Sequence, residues 1–510
     1  MKKLTVSLCA ACACAFLLGG CGDSSLHPGV NYFYKPDALD PAVKDTSDQT
    51  MFHEPEAVDD AKLAEYVAKY DATHVAAPVA VPQAAPVVKP KPAMPAMPAP
   101  LASKEDIDAA KARVDELRGS VTTAKNGAII GIRVESSDTT LEDMELFGRL
   151  ADLESFFFLG AVFNDEMLAK LSGLKNIKSA TIQNSDITVA TLEMFKTWEN
   201  LTTLDIRRNL KLEDKDLTVI QEFPKLERLN AYYNSFKNSG VNKISKSTTL
   251  KIVDLRGCSD ISDSGAKYLA RIATLEEVYF RFGITNDGVA YLAAAPNLKF
   301  VEFQDCGIDN ACAETFASYP SLTGLRIFRC KGFTDDGIKG LANLGLQRLE
   351  LRDLSASDDG VASLKELKKL TFVELSELAI SADTLNQLCG CENWKNMETL
   401  YFFSVPVTDE TVKIIAENMK GLKNLRIRAS GGKNTDATID EIVKMDSLVT
   451  LDLRENTGIS PEAFMKLADM KNLRKIYVKD TKFGDSSDAG VKLREEFKKK
   501  NPKISISTEG

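Results

Sequence analysis

From residue 126 to the end, apolar residues return at one fixed spacing. An apolar residue is followed three positions on by a second and, two positions after that, by a third. Three further positions bring a Cys or Asn. Leu250-x-x-Val253-x-Leu255-x-x-Cys258, Leu322-x-x-Leu325-x-Ile327-x-x-Cys330 and Leu448-x-x-Leu451-x-Leu453-x-x-Asn456 show it. The first apolar position falls at Ile129, Leu153, Ile177, Leu201, Leu226, Leu250, Leu275, Leu298, Leu322, Leu346, Leu370, Met397, Leu422, Leu448 and Leu473. That makes 15 units, nearly all 23 to 26 residues long, with one of 27 after Leu370. Leu325 and Ile327 stand two apart, so both face one side of a strand, inward. The second half of each unit predicts a short helix: Ile261-Ser-Asp-Ser-Gly265, Ile284-Thr-Asn-Asp-Gly288, Phe333-Thr-Asp-Asp-Gly337 and Ser357-Asp-Asp-Gly360 each lead into an apolar residue and then Leu269, Leu292, Leu341 or Leu364. Ser or Thr offers a hydroxyl to the first free amides there, and Asp suits the positive end. Pro296 and Pro320 stop their helices before the next unit, and Ile504-Ser-Ile506 predicts a closing strand.

This pattern resembles the leucine-rich repeat, whose units run 20 to 29 residues. The second half brings it nearest the cysteine-containing and ribonuclease-inhibitor-like subclass. The resemblance covers about three quarters of the chain. It implies an α/β solenoid of about 15 repeats of 24–25 residues, with a concave parallel sheet and convex helices. It also implies that the ninth position (Asn209, Asn234, Cys258, Cys306, Cys330, Asn456) fills the turn after the strand and bonds to neighbouring backbone.

A repeat array needs its apolar ends covered. Ser103-Lys-Glu-Asp106 is a capping-box-like start, and Ile107, Ala110, Val114 and Leu117 share one helical face before Gly119. Residues 103–125 are therefore expected to hold a capping helix and 126–510 the repeats. Residues 21–102 form an acidic, then Pro/Ala-rich tether: eight of the 23 residues from Pro78 to Pro100 are proline, which favours an extended, semi-rigid chain. Residues 1–20 have the order of a signal peptide: Lys2 and Lys3, an apolar run from Leu4 to Leu18, then Gly19-Gly20-Cys21. The ending resembles the bacterial lipobox, which implies acylation of Cys21 and a membrane anchor of lipid. The alternative is an ordinary signal peptide in which Cys21 is incidental. Gly22, rather than Asp, follows the cysteine; by resemblance this implies a lipid-anchored envelope protein of the outer rather than the inner membrane.

The formal charge is −9 and becomes −11 once residues 1–20, with two lysines and no acid, are removed. An acidic exported chain is a poor nucleic-acid binder, since phosphate neutralisation carries most of that affinity. Six cysteines remain after Cys21, at 258, 306, 312, 330, 389 and 391, too few for a disulfide framework in a chain this long. Cys389-Gly-Cys391 leaves a metal or a strained disulfide open, although no histidine is near. The only histidines, His27, His53 and His74, lie in the tether. The repeats therefore offer no Cys-His or Ser-His pair and no His-ligated zinc, and no phosphate loop follows the Walker pattern. The expectation is a protein without catalytic activity, cofactor or metal.

Alternation along each strand lists the concave face in advance. Position five reads Asp205, Asn230, Asp254, Tyr279, Glu302, Arg326, Glu350, Glu374. Position seven reads Arg207, Tyr232, Arg256, Arg281, Gln304, Phe328, Arg352, and position eight adds Arg208, Tyr233, Phe282 and Arg329. On one reading Asp205–Arg207, Asp254–Arg256 and Glu350–Arg352 merely pair on a solvated surface. On the other, Tyr232, Tyr233, Tyr279, Phe282 and Phe328 are exposed together and join the arginines in a patch for a protein or peptide partner. Phe157 and Leu159 form a second apolar spot, expected beneath the capping helix or linker. Two rival functions remain, a structural envelope stalk and glycan recognition by stacking on aromatic rings.

Overall fold

The computed structural model describes residues 102–509; the signal segment, Cys21 and nearly all of the tether lie outside the described residues. The first helix, α1 (Lys104–Glu116), starts where the Ser103 hydroxyl accepts the Asp106 amide at 3.0 Å, and it buries Ala110 and Val114. Ile107, expected on the same face, is only half-buried. The cap holds one element more than the sequence pattern predicts. Strand β1 (Ser120–Thr123) pairs antiparallel with β2 (Ile129–Val134), with an irregularity between Thr122 and Thr123. Three of its four residues are exposed, so no alternation of apolar positions announces it.

From β2 to the last strand, Ser505–Ser507, neighbouring strands are parallel and one repeat apart. The described residues make one 17-stranded sheet. The register has no stagger: Leu325 pairs with Val301 and Leu349, and Arg326 with Glu302 and Glu350. Each repeat position therefore stacks on itself at about 4.8 Å per rung. Positions one, four and six form the core, as Leu250, Val253, Leu255, Leu448, Leu451 and Leu453 show, none above 2% exposed. Burying each such side chain contributes about 1.5–3 kcal/mol. Helices with their own buried stripes, such as Val289 and Leu292 on Asn286–Leu292, close the core from behind.

The ninth position bonds backward, as the resemblance implies. Asn234 Nδ2 donates to the Ile206 carbonyl at 3.0 Å, Asn456 Nδ2 to that of Ile427 at 2.6 Å, and Cys258 Sγ to that of Ala231 at 3.3 Å. Asn234 also accepts the amide of Asn209 in the same preceding repeat at 2.7 Å, tying its own turn to the one before. Cys389 is buried in the helix Ala382–Gly390 and Cys391 follows it; both are free thiols, so no disulfide joins them.

The acids at the helix starts do more than favour a positive end. The first helical residue of one repeat accepts the capping residue of the next. Asp263 takes the amide and hydroxyl of Thr285, both at 2.8 Å, and Asp335 takes those of Ser357, both at 2.7 Å. Asp165 with Thr188 and Asp409 with Thr435 repeat the arrangement. Expected hydroxyl caps form at Thr285 and Ser357 but not at Ser262 or Thr334. The glycine of the motif leaves room for this carboxylate: a Cβ at Gly288 would lie 2.4 Å from Asp263 Oδ1. Where a repeat lacks the glycine, Thr191 or Thr438 donates to the same acid, at 2.6 and 2.5 Å.

Gly288→Ala should therefore lower the unfolding free energy by about 1–3 kcal/mol. Gly421→Ala, where nothing lies within 4 Å of an added Cβ, should stay within about 0.5 kcal/mol. Urea titrations of the two variants giving equal losses would remove the packing explanation. Burial alone would raise the carboxyls of Asp165, Asp335 and Asp409, but their hydroxyl and amide donors more than reverse this and hold them below the ordinary value. The folded state thus takes up protons less readily than the unfolded chain. Their contribution is complete above about pH 4–5 and is lost as pH falls through the lowered folded values. Urea midpoints measured from pH 6 down to pH 3 should drop below pH 5, and Asp409→Asn should shallow that drop; an unchanged slope would contradict it.

Candidate functional site

Among the described residues no helix covers the outer face of the sheet, so its side chains pack on one another. The central row, position five, is nevertheless largely buried: Asp205, Asp254, Tyr279, Glu302, Arg326, Glu350, Glu374 and Asp452 are all below 9% exposed. Side chains of the third and seventh positions lean over it from both sides. Rungs only about 4.8 Å apart leave long arginine and aromatic side chains no space to stand separately, and they fold down onto their neighbours.

Three of the expected site residues are thereby corrected. Tyr279 (4%), Phe328 (8%) and Arg326 (8%) are buried rather than presented. Tyr279 lies under the Arg256 guanidinium at 5.3 Å, and Phe328 between those of Arg329 (4.2 Å) and Arg352 (4.7 Å). Tyr232 and Tyr233 are half-buried, and of the five aromatics expected in the open only Phe282 is exposed. The Arg133 guanidinium lies over the Phe157 ring at 3.7 Å, and the linker, the other cover expected there, lies outside the described residues.

The acid–base pairing also departs from expectation. Asp205 does hold Arg207, and Asp254 holds Arg256 (Nε to Oδ1, 2.9 Å). Glu350, however, pairs with Arg348 and with Arg326 (3.0 Å), while Arg352 turns to Glu377 at 2.7 Å. Nor are these isolated surface pairs. Arg256 reaches across two rungs to Glu302 at 3.1 Å, and Glu302 also accepts from Arg326 at 3.2 Å. Asp254, Arg256, Glu302, Arg326, Glu350 and Arg348 thus form one buried chain of alternating charge. Burial pushes the Glu350 carboxyl up, but Arg326 and Arg348 outweigh it and hold it below the ordinary range. Asp452 is held low in the same way by Arg454 and Arg426, and Asp305 by Arg329 and Arg281. The arginines are therefore largely spent on the protein's own acids, and the face has no broad positive field to steer a partner.

Several further residues belong to the face. The third position of the repeats at Leu346 and Leu370 gives Arg348 and Phe372, and the fifth and seventh positions of the two repeats that follow give Tyr401, Phe403, Arg426 and Arg428. They continue the stacking: Arg348 lies 4.7 Å from the Phe372 ring, Arg426 lies 4.1 Å from that of Tyr401, and Arg428 lies 4.8 Å from that of Phe403.

Arg326→Met would leave both Glu302 and Glu350 short of a buried cation. It should cost about 3–5 kcal/mol of stability, whereas Lys444→Ala at the exposed Glu441 pair should cost less than about 0.5 kcal/mol. A loss below about 1 kcal/mol for Arg326→Met would show the charge chain to be dispensable.

A model of the family described as "Leucine Rich repeat" matches residues 246–270, the span around Leu250 to Leu269. No curated protein sequence matches the chain. Among solved structures, the chain is similar to one of the Rad7 and Elc1 complex in yeast (14% identity, TM-score 0.48, covering 88% of this chain and 96% of that one). It is also similar to an internalin from Listeria monocytogenes (18% identity, TM-score 0.38, covering 74% and 97%). The repeat spacing, the unstaggered parallel sheet with helices on one face and the family match together make residues 126–509 a leucine-rich-repeat solenoid.

Proposed function

We propose that this chain is an exported, lipid-anchored protein of the bacterial cell envelope that binds a partner protein or peptide along its sheet face and performs no catalysis. The observation that carries the binding reading is the continuous pavement of guanidinium groups stacked on Tyr and Phe rings, from Arg207 over Tyr232 to Arg428 over Phe403. Among the described residues no helix covers the surface it spans. Arginine and aromatic side chains already fixed in place lose little freedom on contact, and such residues dominate the energetics of protein interfaces. The same stacking disfavours glycan recognition, because a sugar needs an open ring face and the guanidinium groups occupy those faces.

Export and anchoring rest on residues 1–21: Lys2 and Lys3, the apolar run, and Leu18-Gly19-Gly20-Cys21, with acylation assigned to Cys21 and the outer membrane favoured by Gly22. The Asp-x-Gly helix starts and the ninth-position cysteines support the cysteine-containing, ribonuclease-inhibitor-like kind of repeat.

The test is affinity capture from envelope extracts with three baits of equal thermal stability: the native chain, a sheet-face variant and a helix-side variant. The sheet-face bait carries Tyr232→Ala, Arg352→Ala and Phe403→Ala, which leave the buried Arg256 and Arg326 intact. The helix-side bait carries Glu441→Ala and Lys444→Ala. A protein retained by the native and helix-side baits and lost from the sheet-face bait is the expected result. Identical retention by all three would refute binding through this face.

A further inference from the structure

Along the edge where each strand turns toward its helix, the eighth-position residues share a left-handed backbone, with φ between 49° and 67° at the non-glycine residues. Gly, Asn and Asp suit that conformation, and Asn184, Gly257, Asp305, Asp353 and Asp480 occupy it. Among the repeats that begin at Leu201, Leu226, Leu250 and Leu275, three instead place Arg208 (φ 57°), Tyr233 (56°) and Phe282 (67°) there. For bulky side chains this is a strained conformation, and strain of this kind gathers at functional sites. Arg329, Glu377, Ser404, Ala429 and Glu455 share it farther along, where the Arg329 guanidinium is held by Asp305 at 2.6 Å.

The side chains of this stretch do little for the core. Leu210, two residues beyond Arg208, is 69% exposed and Phe282 is 40% exposed, while Arg208 also points to solvent. Tyr233, by contrast, is held firmly. Its ring lies against Gly257, where a Cβ would come within 2.4 Å of Cδ1, and its hydroxyl accepts from Arg281 at 2.9 Å. Tyr232 meets it edge-on at 5.5 Å. Between Leu210, Tyr233, Gly257 and Asp260 opens a cleft of about 290 Å³.

The charges around the cleft are balanced with one exception. Asp260 pairs with Lys237 at 3.4 Å, Asp186 with Lys211 at 2.6 Å, and Arg281 with Asp305 at 2.8 Å. Arg208 lies 5.1 Å from the Tyr233 ring and has no ion pair among the described residues. An unpaired cation beside exposed apolar surface complements a ligand that carries an anion next to an apolar group.

We propose that this edge is the anchor point for an extended peptide segment of a partner protein, with an apolar side chain entering the cleft against Leu210 and Tyr233 and an adjacent carboxylate meeting Arg208. The proposal rests on the protein-binding reading above and names the chemistry of its partner.

The test pans a display library of random dodecapeptides against the full chain carrying Cys21→Ser. Enriched peptides are expected to hold Asp or Glu within two positions of a Leu, Ile, Phe or Met. Their binding, followed by interferometry, should weaken about tenfold in Arg208→Ala and in Leu210→Ser, weaken in high salt, and stay unchanged in Lys444→Ala on the helix side. Circular dichroism and melting of each variant confirm the fold. An absence of enriched peptides, enrichment of peptides without a carboxylate, or equal binding to the Arg208→Ala chain overturns the proposal. Peptides lost in Phe403→Ala but retained in Leu210→Ser also overturn it, yet leave binding through the sheet face standing.

Discussion

A parallel strand has no hairpin partner of its own, so each inner strand in this chain shares its ladder hydrogen bonds between the strand of the repeat before it and that of the repeat after. The unstaggered register is the form this dependence takes, and the rest of the structure inherits it. Apolar positions stack into one continuous core, ninth-position Asn and Cys side chains reach the preceding turn, and acids at the helix starts hold the next repeat's capping residue. One rule of alignment thus yields three parallel seams: buried hydrocarbon, turn amides and helix caps.

The outer face obeys the same alignment with charged residues. Like charges on adjacent rungs repel; the central row interleaves Glu302, Arg326 and Glu350, leaves Glu374 directly beside Glu350, and draws in Arg256 of the seventh position, which reaches across Tyr279 to Glu302. Aromatic rings between the rows supply the flat surfaces on which guanidinium groups lie. The face is consequently preorganised and close to neutral in its centre, a surface suited to recognition by shape and by local polar contacts. At the edge near Arg208, a cation with no ion pair among the described residues meets open apolar surface.

The repeat count, the strand positions, the capping helix and the inward role of the ninth position were legible in the sequence, because a period of two within strands and a fixed spacing between them leave little freedom. The exposure of the face was not. Counting places Tyr279, Arg326 and Phe328 on the outer side of their strands, correctly, but outer side does not mean open to solvent when neighbours on both flanks fold over them. Glu350 likewise had two arginines within reach, and local sequence gave no means to choose Arg348 over Arg352. The helix-start acids misled in a quieter way: capping within one repeat explains them locally, while their main partners lie in the next repeat, some 22 to 26 residues on. Strand β1 went unseen because Ser-Val-Thr-Thr carries no buried alternation.

That small strand has a bearing on the assembly of whole molecules. Stacks of parallel strands invite another molecule to continue the pile, and a chain with two bare ends would polymerise head to tail. Here β1 lies across the first rung in the opposite direction, with its pairing broken between Thr122 and Thr123. A second molecule's closing strand, which would have to run parallel to β2, finds that place already taken. The antiparallel strand acts as a terminator of growth, keeping a long, repetitive sheet from becoming the seed of a filament.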